Sequence, residues 1–475
     1  MSSGECTHSV VINYLCVKCG KQMNQEYLDK NYVRADPNSS MVMISFEEAR
    51  NRNLQEEQRL IDAKKLSLVI DLDKTLIDTT EVRDHGEIEA IKKLDPHATE
   101  DDFFEFNMNQ NLLIRYRPHV REFLASIAPY FDMQIYTLAS PSYAHAILSK
   151  IDPNDKLFKN RIFSRTAEDF AMLREEAMRN RTDIVHKKNI KKLFPYSDKI
   201  VLVLDDSPEV WYCDNNKLFK GLVQIKRYSY FTRQGPNFPP TVNPDYIEDD
   251  ILIQMRSVLI EVHDMFFKDY DPEQSHVITT LHQRKAQVFE GKTFYFAGLS
   301  EADARSFTYL AEEFGALVVD SFTPYTTHIL VGEGGVDEEV QKAMNYKGVY
   351  VIYLKWLFEC FIQYAILEES KYAAVGIPCP TNGPEELEEQ PEADVSSGDF
   401  NFGMDEAEEN KEPSRNVQRL TYDDIKDDPD WMTKIMEIET DSEAENEEEE
   451  EGGCCCRCGS GEEEDGEEDC GCEEE

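Results

Sequence analysis

The feature of this 475-residue sequence that most constrains its fold is a set of four short apolar runs, separated by stretches with a helical pattern. The runs are LSLVI (66–70), MQIYT (133–137), IVLVL (200–204) and GLVQI (221–225). Runs that stay largely apolar are typical of strands covered on both faces, as in parallel sheets. Their alternation with helices predicts an α/β domain with a largely parallel sheet over residues 65–270.

The first run leads directly into two carboxylates, Asp71 and Asp73. Residues two apart on an extended chain share a face and lie about 7 Å from each other. In open α/β sheets, ligands bind beyond the carboxyl ends of the strands. One acid can therefore attack an electrophile while the other moves protons to and from oxygen. Taken alone, such a pair is as typical of a helix cap or a surface turn.

Polar residues at three other places predict matching chemistry. Thr137 ends the second run and offers a hydroxyl to a phosphoryl oxygen. Asp205 and Asp206 follow the third run, and Lys188 lies upstream of that run. Because Mg²⁺ is commonly held by one or two carboxylates together with water and substrate phosphate, this set predicts a magnesium-dependent site for a phosphate ester.

The rest of the chain divides by composition. Residues 25–64 are predicted to be a helical lead-in, with Ser45 as an N-cap, and residues 284–374 a smaller α/β unit. Residues 381–475 hold 37 acidic against 6 basic residues, a net charge of −31 out of −44 for the whole chain. This acidic, apolar-poor tail is expected to be disordered. A chain without a basic surface predicts no direct nucleic-acid partner, and no apolar run approaches the roughly 18 residues that span a membrane.

Residues 1–24 contain a compact set of metal-ligand residue types, namely Cys6, His8, Cys16 and Cys19. Cysteine pairs two to four residues apart are common in tetrahedral zinc sites. Four ligands within so few residues are also compatible with reduced thiols at the surface. The sequence favours neither alternative.

One segment of the tail, residues 423–440, combines acids with large apolar side chains. Trp431, Met432, Ile435 and Met436 would share one stripe of a helix. This pattern predicts an acidic amphipathic helix that folds into a groove on a partner. The alternative is a charged extension with apolar residues by chance.

These motifs together resemble a known family. DLDKTL is similar to the DxDx[TV] signature of haloacid-dehalogenase-type phosphatases, and the order of Asp pair, Thr, Lys and Asp-Asp resembles their four-motif layout. KKLSLVIDLDKTLIDTT, IRYRPHVREFL and IYTLASPSYA resemble the TFIIF-associating phosphatases of the RNA polymerase II C-terminal domain. FEGKTFYFAGL and FGALVVDSFTPYTTHILVG resemble a BRCT domain. The resemblance implies a Rossmann-like parallel sheet of the haloacid-dehalogenase type, a small α/β BRCT domain and a disordered acidic tail.

The resemblance also implies roles for individual residues. Asp71 would be the nucleophile that forms an aspartyl-phosphate, and it would also contact the metal. Asp73 would protonate the leaving oxygen, activate water and touch the metal through its backbone carbonyl. Asp206 would bind the metal with support from Asp205. The residues implied to hold the phosphoryl group or shape the site are Thr75, Arg117, Thr137, Asp152 and Lys188.

The implied protein is a Mg²⁺-dependent protein serine phosphatase of the nucleus. Its substrate would be the phosphorylated heptad repeats of the RNA polymerase II C-terminal domain, and a TFIIF subunit would bind its tail. One departure is SRTAED (164–169), where the family usually has SRDE. Two alternatives stay open: the same chemistry on another nuclear phosphoprotein, and a catalytically silent scaffold for transcription proteins.

Overall fold

The structure is a computed structural model that describes residues 6–374, apart from 37–38, 108–110, 166–170, 172–173, 175–177, 180–186, 214–216, 236–237, 333–334, 336–337, 344–345 and 347. All of these residues belong to one unit of the chain, Met1–Asn410. The predicted tail (381–475) and its segment 423–440, with Trp431, Met432, Ile435 and Met436, lie outside the described residues. Within the described part of the chain, no helix has the length and apolar character needed to cross a membrane.

The N-terminal part is a small antiparallel sheet with two helices. Its elements are β1 (Val10–Ile12), β2 (Leu15–Cys16), α1 (Gln25–Asn31), β3 (Tyr32–Asp36), β4 (Ser39–Ser45) and α2 (Phe46–Asp62). The strand order is β2-β1-β4-β3. As predicted, Ser45 caps α2, and its hydroxyl accepts a hydrogen bond from the Glu48 N–H at 3.2 Å. The predicted helical lead-in (25–64) also contains the strands β3 and β4, and β4 pairs with β1 across 30 to 34 residues, a contact that local sequence patterns do not reveal.

The central part is built on five parallel strands. Its elements are β5 (Leu66–Ile70), β6 (Ile77–Glu81), α3 (His85–Leu94), β7 (Phe103–Asn107), β8 (Asn111–Tyr116), α4 (Val120–Ile127), β9 (Phe131–Tyr136), α5 (Pro141–Ile151), β10 (Ile162–Phe163), β11 (Lys188–Asn189), β12 (Val201–Asp205), β13 (Trp211–Tyr212), β14 (Leu222–Gln224), β15 (Phe231–Thr232), β16 (Thr241–Val242) and α6 (Ile251–Lys268). The main sheet has the order β10-β9-β5-β12-β14, and all its pairs are parallel. Every residue of β5 and β12 is buried, as expected for strands covered on both faces.

An antiparallel sheet, β6-β8-β7, is inserted after the first strand of the main sheet. It begins four residues after Asp73, and Phe106 on β7 packs edge-on against Tyr143 of α5 at a centroid distance of 5.6 Å. The inserted sheet therefore stands beside the loop that carries the two predicted catalytic acids.

The second predicted α/β unit forms a four-stranded parallel sheet. Its elements are α7 (Val277–Ala286), β17 (Thr293–Ala297), α8 (Glu301–Glu313), β18 (Leu317–Val318), β19 (His328–Val331), α9 (Glu338–Ala343), β20 (Tyr350–Tyr353) and α10 (Lys355–Gln363). The strand order is β18-β17-β19-β20. Trp356 is completely buried in its core and stacks on His328.

The two α/β parts touch at the end of α10. The Tyr364 hydroxyl accepts a hydrogen bond from the Gln224 N–H at 3.1 Å. Gln254 of α6 donates to the Gln363 carbonyl at 3.0 Å. The smaller part is therefore attached to the edge strand β14 and to α6 by specific polar contacts.

Candidate active site

The parallel sheet gathers acids from two neighbouring strands at one edge. Asp71 follows β5, Asp205 ends β12, and Asp206 follows it; all three are buried. The Asp71 N–H donates to the Leu204 carbonyl at 3.0 Å, which continues the pairing of the two strands up to the acids. Since the carboxyl ends of parallel strands meet at the same edge, the sheet brings these three acids together.

Lys188 joins two of these acids. Its Nζ lies 2.5 Å from Asp71 Oδ1 and 2.6 Å from Asp205 Oδ2. Burial acts to lower the pKa of Lys188, but the carboxylates of Asp205 and Asp71 outweigh it and raise that pKa. Asp205 also accepts hydrogen bonds from Trp211 Nε1 at 2.7 Å and from the Ser207 N–H at 2.8 Å. Asp205 is thus held by three donors, and it in turn fixes the lysine.

Burial raises the pKa of Asp71 well above its usual range, and the charge of Asp205 adds to the increase. Burial also raises the pKa of Asp206, to about 6, again with a contribution from Asp205. Both shifts have the same physical origin, because negative charges crowd together away from water.

Asp206 has its own set of partners. Its Oδ1 accepts a hydrogen bond from the Thr75 hydroxyl at 3.3 Å, and the same hydroxyl oxygen accepts one from the Asp206 N–H at 3.2 Å. Its Oδ2 lies 2.9 Å from Arg227 Nη1 and 3.2 Å from the Ser207 hydroxyl. Thr75, predicted to shape the site, therefore links the loop after β5 to the loop after β12.

Asp73 lies on the same loop as Asp71 but faces different groups. Its Oδ1 accepts a hydrogen bond from the Tyr143 hydroxyl at 2.8 Å, and its Oδ2 is 3.4 Å from the Thr137 hydroxyl. Burial raises the pKa of Asp73, while the hydrogen bond from Tyr143 opposes the increase. Lys74, which follows Asp73, has a positive φ of 67°, so the chain turns sharply between the motif's second acid and Thr75.

Two of the predicted site-shaping residues have different places. Arg117 is buried and forms a two-pronged ion pair with Asp249 at 3.0 Å, while its Nη1 donates to the Thr75 carbonyl at 3.0 Å. Arg117 therefore stabilises the motif loop through the backbone of Thr75. The carboxylate of Asp152 instead accepts backbone hydrogen bonds at the end of α5, from Lys156 at 3.0 Å and Leu157 at 2.7 Å. These contacts stabilise a turn and do not join Asp152 to the acids.

The acids have the composition of a magnesium site. Carboxylate oxygens of Asp71, Asp205 and Asp206 lie within 4.8 Å of one another. Lys188 and Arg227 contact them, so two positive charges face three negative ones in a buried space. Hard oxygen donors with surplus negative charge suit a small divalent cation, and the residues present therefore fit Mg²⁺. The resemblance assigned Asp73 a backbone contact, and its side chain is not one of this carboxylate group.

A second group of metal-ligand residues lies in the N-terminal sheet. One ligand atom from each of Cys6, His8, Cys16 and Cys19 falls within 4.8 Å of the others. The Cys6 and Cys16 sulfurs are 3.7 Å apart, and Cys19 Sγ is 3.3 Å from His8 Nδ1. The hydrogen bond with His8 is the main cause that lowers the pKa of Cys16 to about 6. The structure thus brings together all four residues predicted as ligands.

Sequence reasoning missed three side chains that contact the site acids. Tyr143 donates to Asp73, Trp211 donates to Asp205, and Arg227 pairs with Asp206. The only signal for Trp211 is its position six residues after Asp205. Tyr143 and Arg227 reach the acids from other elements, and no local spacing indicates such contacts.

Family models match the two α/β parts of the chain. Residues 66–234 match the NLI interacting factor-like phosphatase family, and residues 284–361 match the BRCA1 C Terminus (BRCT) domain. The resemblance predicted from the motifs is confirmed.

Curated relatives bear related names. A phosphatase of the RNA polymerase II C-terminal domain from Caenorhabditis elegans is 27% identical over 396 residues, which are 78% of this chain and 56% of that protein. The Homo sapiens protein of the same name is 34% identical over 250 residues, 50% of this chain and 23% of that one. RNA polymerase II C-terminal domain phosphatase-like 4 of Arabidopsis thaliana is 26% identical over 75% of this chain and 79% of its own length. The chain spans about half of the nematode relative and a quarter of the human one.

A solved structure supports the fold. The fission yeast RNA polymerase II CTD phosphatase bound to beryllium fluoride has a TM-score of 0.50 at 24% identity. The match covers 68% of this chain and 100% of the solved one. The predicted fold class, a parallel α/β domain with a BRCT domain, is confirmed.

Proposed function

The chain combines an NLI interacting factor-like phosphatase domain with a BRCT domain, and from this premise we propose that it is a Mg²⁺-dependent protein serine phosphatase that acts on the heptad repeats of the RNA polymerase II C-terminal domain. The observation that carries the proposal is the contact of Lys188 with Asp71 at 2.5 Å, beside Asp206 at the end of the next strand. In this proposal, the nucleophile Asp71, the cation Lys188 and the metal ligand Asp206 would all reach one phosphoryl group. The names of the relatives support the substrate.

In the proposed mechanism, Asp71 attacks phosphorus and forms an aspartyl-phosphate, while the bond to the seryl oxygen breaks. Asp73 gives its proton to that oxygen and then takes a proton from the water that hydrolyses the intermediate. The raised pKa of Asp73 suits a group that must hold a proton first. Bound Mg²⁺ would supply positive charge that keeps Asp71 ionised and offsets charge on the phosphoryl oxygens.

Lys188 and Thr137 position the reacting groups in this proposal. Lys188 keeps one Asp71 oxygen at a fixed place and adds a positive charge near the phosphoryl group. Thr137 lies next to Asp73 and offers its hydroxyl on the same side. Arg117 and Thr75 keep the motif loop in register with the loop after β12.

Phosphate release from singly phosphorylated heptad peptides, with and without Mg²⁺, tests the proposal. We expect release only with the metal, and only from peptides that carry phosphoserine. Hydrolysis of an aryl phosphate without any heptad peptide would favour the same chemistry on another nuclear phosphoprotein. Inactivity towards every phosphate ester would favour a scaffold. A scaffold has no physical need to bury three carboxylates together, because such burial is costly.

The N-terminal ligand set is proposed to bind Zn²⁺. Tetrahedral zinc with Zn–S near 2.3 Å and Zn–N near 2.0–2.1 Å places its ligand atoms about 3.5–3.8 Å apart. The observed 3.7 Å and 3.3 Å separations are close to these values. A thiol whose pKa is lowered, as in Cys16, readily becomes the thiolate that zinc binds.

Zinc content of the purified chain, measured by mass spectrometry, tests this proposal. We expect about one zinc per chain, lost in Cys16→Ser and Cys19→Ser. Cys213→Ser is the control, because Cys213 lies outside the cluster and contacts the Lys217 carbonyl. Metal-free wild type would favour reduced thiols instead.

We further propose a nuclear location, and we propose that segment 423–440 binds a TFIIF subunit. Both follow from the proposed substrate and from the pattern of acids around Trp431, Met432, Ile435 and Met436. The BRCT domain would hold substrate or partner beside the catalytic domain.

A further inference from the structure

The backbone on either side of Arg227 is hydrogen-bonded to the two loops that carry the acids. Two residues earlier, the Ile225 N–H donates to the Asp205 carbonyl at 3.0 Å. One residue later, the Tyr228 N–H donates to the Lys74 carbonyl at 2.7 Å. The position of Arg227 is therefore fixed relative to both loops, and its guanidinium reaches Asp206.

The contact with Asp206 occupies an oxygen of a carboxylate that belongs to the candidate metal group. Asp206 Oδ2 lies 2.9 Å from Arg227 Nη1 and also accepts a hydrogen bond from Ser207, while Oδ1 accepts one from Thr75. A carboxylate offers about four lone-pair positions, so three of them already have partners. Mg²⁺ binds oxygen at about 2.0–2.1 Å, and a guanidinium on the same carboxylate would repel it.

The two cations of the site differ in how far they are exposed to solvent. Lys188 bridges Asp71 and Asp205, and only 3% of its side chain is exposed. Arg227 contacts Asp206, and 16% of its side chain is exposed. A long side chain at the solvent boundary can change partner without moving the backbone. Its planar fork also matches phosphate oxygens better than an ammonium group does.

We propose that Arg227 is an exchangeable counterion: it neutralises Asp206 before metal binds, then releases that carboxylate to the metal and turns to the phosphoryl oxygens of the substrate. This inference rests on the proposed phosphatase function. It predicts effects of opposite sign on removing the guanidinium. Metal binding should become tighter, because a competing cation is gone, and substrate binding should become weaker.

Full-length Arg227→Gln and Arg227→Lys test this directly. Mn²⁺ affinity is measured by the loss of the free-ion electron paramagnetic resonance signal, and KM and kcat with a phosphoserine heptad peptide. For Arg227→Gln we expect Mn²⁺ affinity to rise about threefold or more and KM to rise about tenfold. Arg227→Lys keeps the charge but loses the fork, so its Mn²⁺ affinity should stay near wild type while KM still rises.

Arg233→Gln is the matched control, since Arg233 lies on the same segment and donates to the Glu81 carbonyl. It should change neither constant. Unchanged or weaker Mn²⁺ affinity in Arg227→Gln overturns the exchange, and so does an unchanged KM. Wild-type chain that neither hydrolyses the peptide nor binds Mn²⁺ would overturn the proposed function as well, whereas an active wild type with unaltered variants refutes the exchange alone.

Discussion

At the residue scale, the candidate site contains more negative than positive charge. Asp71, Asp205 and Asp206 crowd at one sheet edge, and burial raises the pKa values of Asp71 and Asp206. Lys188 and Arg227 offset only part of this charge. A fold that keeps such an arrangement must gain something from it, because buried carboxylates without full compensation reduce stability. In the proposed function, binding a divalent cation and a phosphoryl group would provide that gain.

Asp71→Asn is expected to abolish turnover and formation of the aspartyl-phosphate, because the attacking oxygen is lost. The amide is nearly the same size, so the fold should survive. Acid-quenched protein incubated with radiolabelled phosphopeptide measures the covalent intermediate. Label retained on the Asn variant would place the nucleophile elsewhere.

Asp73→Asn should lose proton transfer, typically worth about 10²–10⁴ in rate. The loss should be smaller for an aryl phosphate than for a seryl phosphate, because a good leaving group needs less protonation. Rates with both substrates, compared with wild type, measure it. Equal losses with both would remove the general-acid role.

Asp206→Ala should raise the Mg²⁺ concentration needed for half-maximal activity. Asp205→Asn is the matched comparison, because the oxygens of Asp205 already accept hydrogen bonds from Lys188, Trp211 and Ser207. We expect Asp205→Asn mainly to lower turnover, because Lys188 would be held less firmly. Magnesium titrations of both variants decide between them, and the reverse pattern would make Asp205 the principal ligand.

At the element scale, the apolar runs of the sequence predicted the strands of the main sheet. They did not predict side-chain contacts between elements that are distant along the chain. The run 66–70 coincides with β5, and the runs that became β9, β12 and β14 are within two residues of their predicted bounds. The acids at their ends could be found because parallel strands bring them to one edge. The contacts of Tyr143 and Arg227 with the acids could not, because helix α5 and the segment after β14 carry them there through tertiary packing.

Gly315 gives an element-scale prediction for the BRCT domain. It follows α8 with φ +92°, and an added Cβ would lie 1.8 Å from the Ala286 carbonyl oxygen at the end of α7. Gly315→Ala should therefore destabilise the domain by about 2–4 kcal/mol, from backbone strain plus displacement of α7. Gly291→Ala is the control: its φ is +74°, but nothing lies within 4 Å, so it should cost only about 1–2 kcal/mol. Urea unfolding midpoints measure both, and equal shifts would mean that α7 moves away freely.

At the scale of the whole molecule, catalytic groups and acidic tail are separate in sequence. The candidate site residues lie between Asp71 and Arg227, and the smaller domain is attached through Tyr364. Cutting the chain near residue 380 should therefore leave the hydrolysis of phosphopeptides unchanged. Equal kcat and KM for truncated and full-length chains are the expected result. A large fall in kcat would mean that the tail contributes to the site.

Segment 423–440 gives the last prediction, since its proposed role is capture of a TFIIF subunit. Trp431 and Ile435 should supply most of the binding, because fully burying a large apolar side chain contributes about 1.5–3 kcal/mol. The surrounding acids should mainly raise the association rate towards a basic groove, and less so at high salt. Replacing both apolar residues with Ala should accordingly change association little and speed dissociation strongly. Binding kinetics of a 420–450 peptide at two salt concentrations measure this, and a double variant that dissociates like the parent would leave the tail as a solvated, charged extension.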